Sequence, residues 1–143
     1  MLVNVRSQGS CFLIDNDVED GDIFSLALSE VNDRIVCRTA ISAESGLEIL
    51  YGDQSYVPSL IFVDMNMPLM NGLDCVAKLR KLSHLQHSSI YIYSTAHSPE
   101  LDEKARQAGA KGIIEKPTGF EDLKTLLAGL LLEYRHHEST KTL

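Results

Sequence analysis

The chain lacks any apolar run near the roughly 18 residues that a membrane span requires. Its longest candidates, such as Leu60–Val63, are strand-sized. It also lacks a basic surplus: 13 Lys+Arg stand against 20 Asp+Glu, a formal net charge of -7. That balance excludes a domain whose main task is gripping nucleic acid or an anionic membrane. Cysteine is sparse, and Cys11, Cys37 and Cys75 form no Cys-x-x-Cys and no Cys/His ligand spacing, which argues against zinc. Odd in number and set among apolar residues, the three read as reduced thiols filling the core of a cytoplasmic protein. The first residues, Met1 to Arg6, lack the charged start and apolar core of a signal peptide. None of the five histidines (His84, His87, His97, His136, His137) has a triad partner or ligand spacing, so all read as solvated. No internal repeat or low-complexity segment interrupts the 143 residues, a length that suits one domain able to bury a core.

What is present is a repeating alternation. Phe12-Leu13-Ile14 is a short apolar run that stops at an acidic cluster, and helical spacing follows from Asp20 to Val31 through Ile23, Phe24, Ala27 and Leu28. Ile35-Val36-Cys37 is again strand-like, and a helix opening at Ser42 carries Ala43, Leu47 and Leu50. Leu60-Ile61-Phe62-Val63 is the most apolar strand, ended by Asp64. Asn71-Gly72 breaks the chain before a helix with Leu73, Val76, Ala77 and Leu79. Ser89–Ser94 is β-rich, and a helix from Pro99 to Ala108 closes at Gly109. Gly112-Ile113-Ile114 is a last strand, and Phe120–Tyr134 a terminal helix with a leucine stripe. Five strands alternating with five helices predict a parallel sheet covered on both faces, with its ligand site beyond the carboxyl ends of the strands.

Polar groups gather at those ends. Strand one stops at Asp15-Asn16-Asp17, strand three at Asp64, strand four at Ser94-Thr95 and strand five at Glu115-Lys116-Pro117. Two carboxylates, an amide and nearby carbonyls are the hard oxygen ligands that Mg²⁺ prefers. A lysine and a hydroxyl opposite them supply a cation and a donor for a phosphoryl group. A carboxylate beside a metal also acts as a nucleophile. A mere cap for the Asn66–Met70 turn is the minor reading of Asp64, outweighed by its strand-end partners, whereas Glu19, Asp20 and Asp22 read as a solvated first helical turn.

Asp64-Met65-Asn66-Met67-Pro68 followed by Asn71-Gly72 resembles the phospho-acceptor loop of two-component response regulator receiver domains. The acidic turn after strand one, the hydroxyl 30 residues beyond Asp64, and Ala108-Gly109-Ala110 followed by Lys116-Pro117 extend the resemblance over about residues 10–134. It implies a flavodoxin-like doubly wound fold with strand order 2-1-3-4-5. Residues 9–135 would form the receiver, with loose ends at 1–8 and 136–143. It implies Asp64 as phospho-acceptor, served by a histidine kinase or phosphotransfer protein. The Mg²⁺ (or Mn²⁺) ligands would be Asp15, Asn16, Asp64 and the Asn66 backbone carbonyl. Ser94, Thr95 and Lys116 would face the phosphate, and Lys116–Pro117 would be a cis bond. The helix 4–strand 5–helix 5 face, with Ala105, Ala108 and Ile113, would signal to a protein target, and homodimerisation stays open. No enzymatic turnover beyond the domain's own phosphorylation and dephosphorylation is implied, and the place of action would be the cytoplasm.

Two positions depart from the family pattern. Asn16 stands where a second acid is usual, and Asp17 would compensate if it turned inward. Ile113 replaces the aromatic residue that often rotates on activation. One alternative is a haloacid dehalogenase-type phosphatase with Asp15 as nucleophile, although Glu19 stands where that motif requires Thr or Val. Another is a pseudo-receiver that binds protein without taking phosphate. The negative charge itself is localised. From Asp15 to Asp74 lie 12 acids and 2 bases, a net of -10, while the remaining segments carry 8 acids and 11 bases, a net of +3.

Overall fold

The computed structural model describes the backbone of residues 9–141 and the side chains of residues 9–134. Five strands, β1 (Ser10–Ile14), β2 (Val36–Ala40), β3 (Leu60–Asp64), β4 (Ser89–Ser94) and β5 (Gly112–Glu115), form one sheet of order β2-β1-β3-β4-β5. Every pairing is parallel. Between them run α1 (Val18–Val31), α2 (Ala43–Gly52), α3 (Gly72–Leu79) and α4 (Pro99–Ala108), and α5 (Phe120–Lys141) closes the chain. This is the doubly wound flavodoxin-like arrangement expected.

The central strands are buried on both faces because alternate residues face different cores. Phe12, Ile14, Ile61 and Val63 pack with α2, α3 and α4 through Leu47, Leu50, Val76, Leu79 and Ala105. Cys11, Leu13, Leu60 and Phe62 pack with α1 and α5 through Phe24, Leu28, Leu123 and Leu127. Phe24 meets the Phe62 and Tyr93 rings edge-on, at centroid separations of 5.1 and 5.6 Å.

Helix starts follow side-chain chemistry. Asp17, Ser42, Asn71 and Ser98 each accept a hydrogen bond from the backbone N–H three residues on, satisfying a donor that the helix itself leaves free. Asp17 therefore starts α1 two residues earlier than the apolar spacing predicts. At the other end of the chain, α5 runs to Lys141, well past the Tyr134 expected. The proposed loose end at 136–143 is thus helical to residue 141, and the end at 1–8 lies outside the described residues. β2 is displaced from the expected Ile35–Cys37 and is no buried strand. It borders the sheet, pairs only with β1, and leaves Val36 70 % exposed.

One side chain ties together segments distant in sequence. Arg80, at the end of α3, donates from Nε to the Gly109 carbonyl (2.7 Å) and from its two terminal nitrogens to the Leu85 (3.0 Å) and Ser88 (2.8 Å) carbonyls. Gly109 closes α4 with φ +114°, and a Cβ there would run into the Arg80 side chain. We expect Arg80→Ala to lower the unfolding free energy by about 2–4 kcal/mol, since it leaves three carbonyls short of a charged donor. Arg80→Lys should recover less than half, because one ammonium cannot reproduce the planar fork. Urea midpoints of the three proteins check this, and an unchanged midpoint for Arg80→Ala overturns it.

Candidate functional site at the carboxyl ends of the strands

β1 connects outward to β2 on one side while β3 leads to β4 and β5 on the other, so the strand order reverses between β1 and β3. Loops leaving such adjacent strands diverge and open a crevice at the carboxyl edge. Asp15 follows β1 and Asp64 ends β3 at that point. Both are carboxylates in a nearly dry setting, 3 % and 7 % exposed.

Lys116, just past β5, reaches across to both. Its Nζ lies 3.0 Å from Asp15 Oδ2, 3.2 Å from Asp20 Oδ2 and 3.4 Å from Asp64 Oδ1. It also sits over the Tyr93 ring, 5.3 Å from the centroid. Burial pulls the Lys116 pKa down. The hydrogen bond and charge of Asp15, then Asp64 and Asp20, more than reverse this and hold it above the ordinary lysine range. Asp64 is pushed the other way for a carboxylate: burial first, and the Asp15 charge second, raise its pKa against the opposing pull of Lys116 and of the Asn66 N–H. Burial also raises the Tyr93 hydroxyl to about 12, so this ring stays neutral beside the ammonium.

The remaining residues fall into two groups. Ser94 is buried at the end of β4, where its Oγ accepts from the Ala96 N–H at 3.1 Å and its carbonyl accepts from the Lys116 N–H at 2.8 Å. A hydroxyl that accepts one bond still carries its own hydrogen as a donor. Asn16, Asn66 and Thr95 are exposed at the rim. Ile113 is half-buried on β5, and its N–H donates to Asp102 Oδ1 on α4 at 3.1 Å.

The acceptor-like loop is shaped by two backbone constraints. Gly72 opens α3 against the loop, where an added Cβ would meet the Asp64 carbonyl oxygen at 2.6 Å and the Met65 Cα at 2.9 Å. Only glycine lets the helix start approach so closely. Leu69 has φ +70°, and Met70 N–H donates to the Pro68 carbonyl at 2.8 Å across it, a strained γ-turn.

Three expectations are corrected. Asp17 does not turn inward: its carboxylate is exposed and accepts from the Asp20 N–H at 3.2 Å, because the open amides of α1 offer it a closer partner. Asp20, read as solvated, instead reaches Lys116. The signal was present, since Asp20 heads the stripe Phe24, Ala27 and Val31 on the inward face of α1. The Lys116–Pro117 peptide is trans. Trans is the lower-energy isomer by about 0.5–1 kcal/mol, and with Lys116 already fixed by Ser94 and the carboxylates, no described contact demands the other. Among the described residues no group of three or more His, Cys, Asp or Glu is arranged to hold a metal ion, so any ion here would rest on two carboxylates plus amide and carbonyl oxygens.

Asp64 binds its proton more tightly folded than unfolded, so its ionisation weakens the fold as pH rises through the unfolded carboxylate pKa and on through the raised folded one. We expect Asp64→Asn to unfold at a higher temperature than the parent at pH 7, with the difference vanishing below about pH 3, where both side chains are neutral. Calorimetric scans at the two pH values check it. A lower midpoint for the variant at pH 7 overturns the assignment of Asp64 as a strained carboxylate.

Comparisons with known proteins agree on one family. The model of the response regulator receiver domain matches residues 12–128. A two-component response regulator of Oryza sativa subsp. japonica is 31 % identical over 116 residues, which cover 80 % of this chain and 92 % of that protein. The nitrate/nitrite response regulator of Escherichia coli K12 is 35 % identical over 96 residues, 67 % of this chain and 42 % of that longer protein. Among solved structures, a Vibrio cholerae chemotaxis protein superposes with a TM-score of 0.72 at 27 % identity, covering 82 % of this chain and 95 % of its own. A response regulator solved in a Mn(2+)-bound form shares the fold at a TM-score of 0.68 and 17 % identity, covering 85 % of this chain and 91 % of its own. With its sheet order, its strand-end carboxylates and a family match over most of its length, the chain belongs to the response regulator receiver domains.

Proposed function

We propose that this receiver takes a phosphoryl group on Asp64 from a histidine kinase or phosphotransfer protein and signals through a protein partner. The observation that carries the reading is the Lys116 ammonium within 3.4 Å of Asp64 and 3.0 Å of Asp15 at the strand-order reversal. One Asp64 oxygen attacks phosphorus, and the donor's N–P bond breaks with its electron pair left on the imidazole. Lys116 then has a phosphoryl oxygen to pair with in place of the carboxylate, and the Ser94 hydroxyl donates to another. Asp15 and Asp64, with the Asn16 amide and the Asn66 carbonyl, are hard oxygen donors of the kind Mg²⁺ or Mn²⁺ takes while keeping several waters. Bound there, the ion neutralises charge on the transferring oxygens. Thr95, exposed beside Ser94, adds a second hydroxyl at the rim. The α4–β5–α5 face, where Asp102 holds Ile113 and Ala105 and Ala108 pack, is the surface that responds.

Incubation with acetyl phosphate and Mg²⁺ tests the reading. Wild-type protein should gain one phosphoryl mass, a gain abolished when the metal is chelated before the donor is added, and Asp64→Asn should gain none. Persistent labelling of Asp64→Asn overturns the assignment and, if Asp15→Asn then removes it, moves the nucleophile to Asp15. Failure of the wild-type protein to label with any donor while remaining folded points to the pseudo-receiver.

Asn16 gives a second test. An acid there adds one negative charge near the ion, worth about 1.4 kcal/mol or more at the effective dielectric of a protein surface. We expect Asn16→Asp to lower the Mg²⁺ concentration that half-saturates labelling by roughly tenfold. No change would remove Asn16 from the metal end of the site.

A further inference from the structure

Cys11 and Cys37 lie directly opposite one another in the register of β1 and β2. Neighbouring strands run about 4.8 Å apart, inside the ~4.4–6.8 Å Cα window that a disulfide spans. The two side chains share a face, since Cys11 belongs to the α1/α5 core and Cys37 packs against the same cluster. Their accessibility differs: Cys11 is fully buried, whereas Cys37 is only partly covered because β2 borders the sheet, with Val36, Arg38 and Thr39 exposed around it. A reagent from solvent therefore meets Cys37 first, with Cys11 behind it. Both are free thiols. Hydrogen bonding from Cys11, and to a lesser degree from Ser25, holds Cys37 below the ordinary cysteine range against the effect of burial. Burial, followed by Cys37 itself, holds Cys11 well above that range. A partly exposed thiol held lower than the buried thiol directly behind it is the pairing that meets an oxidant first and is then resolved. Cys75 offers an internal contrast. It lies on α3 at the opposite face of the sheet, fully buried, its thiol pushed by burial up to about 12.

We propose that Cys11 and Cys37 are an oxidisable dithiol that a hydroperoxide converts to a disulfide across β1 and β2. The Cys37 thiolate attacks one peroxide oxygen. The O–O bond breaks, a sulfenic acid forms on Cys37, and the departing hydroxide takes a proton to leave as water. The Cys11 sulfur then attacks Cys37 Sγ. The S–S bond forms, the S–O bond breaks, and the hydroxide leaves with the Cys11 proton as a second water. The two thiols together lose two electrons and two protons, and hydrogen peroxide is reduced to two waters. The core-filling reading of the cysteines still holds for Cys11 and Cys75, but it does not explain a half-covered thiol placed in register with a buried one.

The test uses the full chain, reduced, exposed to hydrogen peroxide, then denatured and alkylated. Two of its three thiols should become unreactive, dithiothreitol should restore them, and peptide mapping should recover one intramolecular link joining Cys11 to Cys37. Cys75→Ala should oxidise at the wild-type rate, and Cys37→Ser should form no link. Because the mapping is done on wild-type protein, instability of a variant leaves the result readable. Survival of all three thiols, a link that includes Cys75 or a second molecule, or thiol loss at the wild-type rate in Cys37→Ser overturns the proposal.

Discussion

Lys116 holds a charge arrangement that the strands impose and that would not otherwise persist. The parallel sheet brings Asp15 and Asp64 to one edge, both nearly dry, and the first turn of α1 adds Asp20. Like charges at such separations repel by several kcal/mol at protein-like dielectric. The ammonium at 3.0, 3.2 and 3.4 Å from the three carboxylates offsets that repulsion. The offset is incomplete. Asp64 keeps a raised pKa even with Lys116 beside it, because burial and the Asp15 charge outweigh the ammonium. A carboxylate with a perturbed pKa in a crevice is a candidate reactive group, the role the proposed function gives Asp64.

The same lysine joins the acidic end to the far edge of the sheet. Its backbone N–H donates to the Ser94 carbonyl, so the ends of β4 and β5 are held together beside the Lys116 ammonium. Three residues earlier on β5, Ile113 N–H is taken by Asp102 of α4, which also accepts from Arg106 at 2.8 Å. On the proposed function, a shift of Lys116 toward a phosphoryl oxygen would act on a strand whose outer edge is hydrogen-bonded to α4. Asp102 thus ties β5 to α4 beside the site, and Ile113 offers no aromatic ring at that position.

Most of the architecture was legible in the sequence because burial leaves a periodic trace. Leu60–Val63 reads as a strand buried on both sides and is one, and the capping residues Ser42, Asn71 and Ser98 stand where helices begin. Asp15, Asp64, Ser94 and Lys116 were legible because each is the polar stop of an apolar run. What escaped depends on the assembled sheet. The exposure of β2 follows from its place at the border, which no local pattern encodes. Arg80 serves carbonyls contributed by residues 85, 88 and 109, a convergence visible only after folding. A cis Lys116–Pro117 bond is implied only by the family resemblance, nothing in this chain's own residues encodes it, and the bond is trans.

Asp20 also bears on the family departure at Asn16. Asp17, the next residue, would compensate for the missing acid only by turning inward, and the N-terminal amides of α1 claim its carboxylate instead. One turn into the helix, Asp20 sits where the inward stripe begins and reaches Lys116 from the α1 side. Three carboxylates around one ammonium leave a local net charge of -2, the amount one divalent cation neutralises. Asp20 thereby returns to the strand-end cluster the charge that Asn16 withholds, and it does so by dividing the attention of Lys116. The ammonium's charge is shared three ways, so Asp15 and Asp64 are each less fully neutralised than in an isolated pair. A residue that looked like ordinary helix-start acidity thus adds to the negative charge at this edge of the sheet.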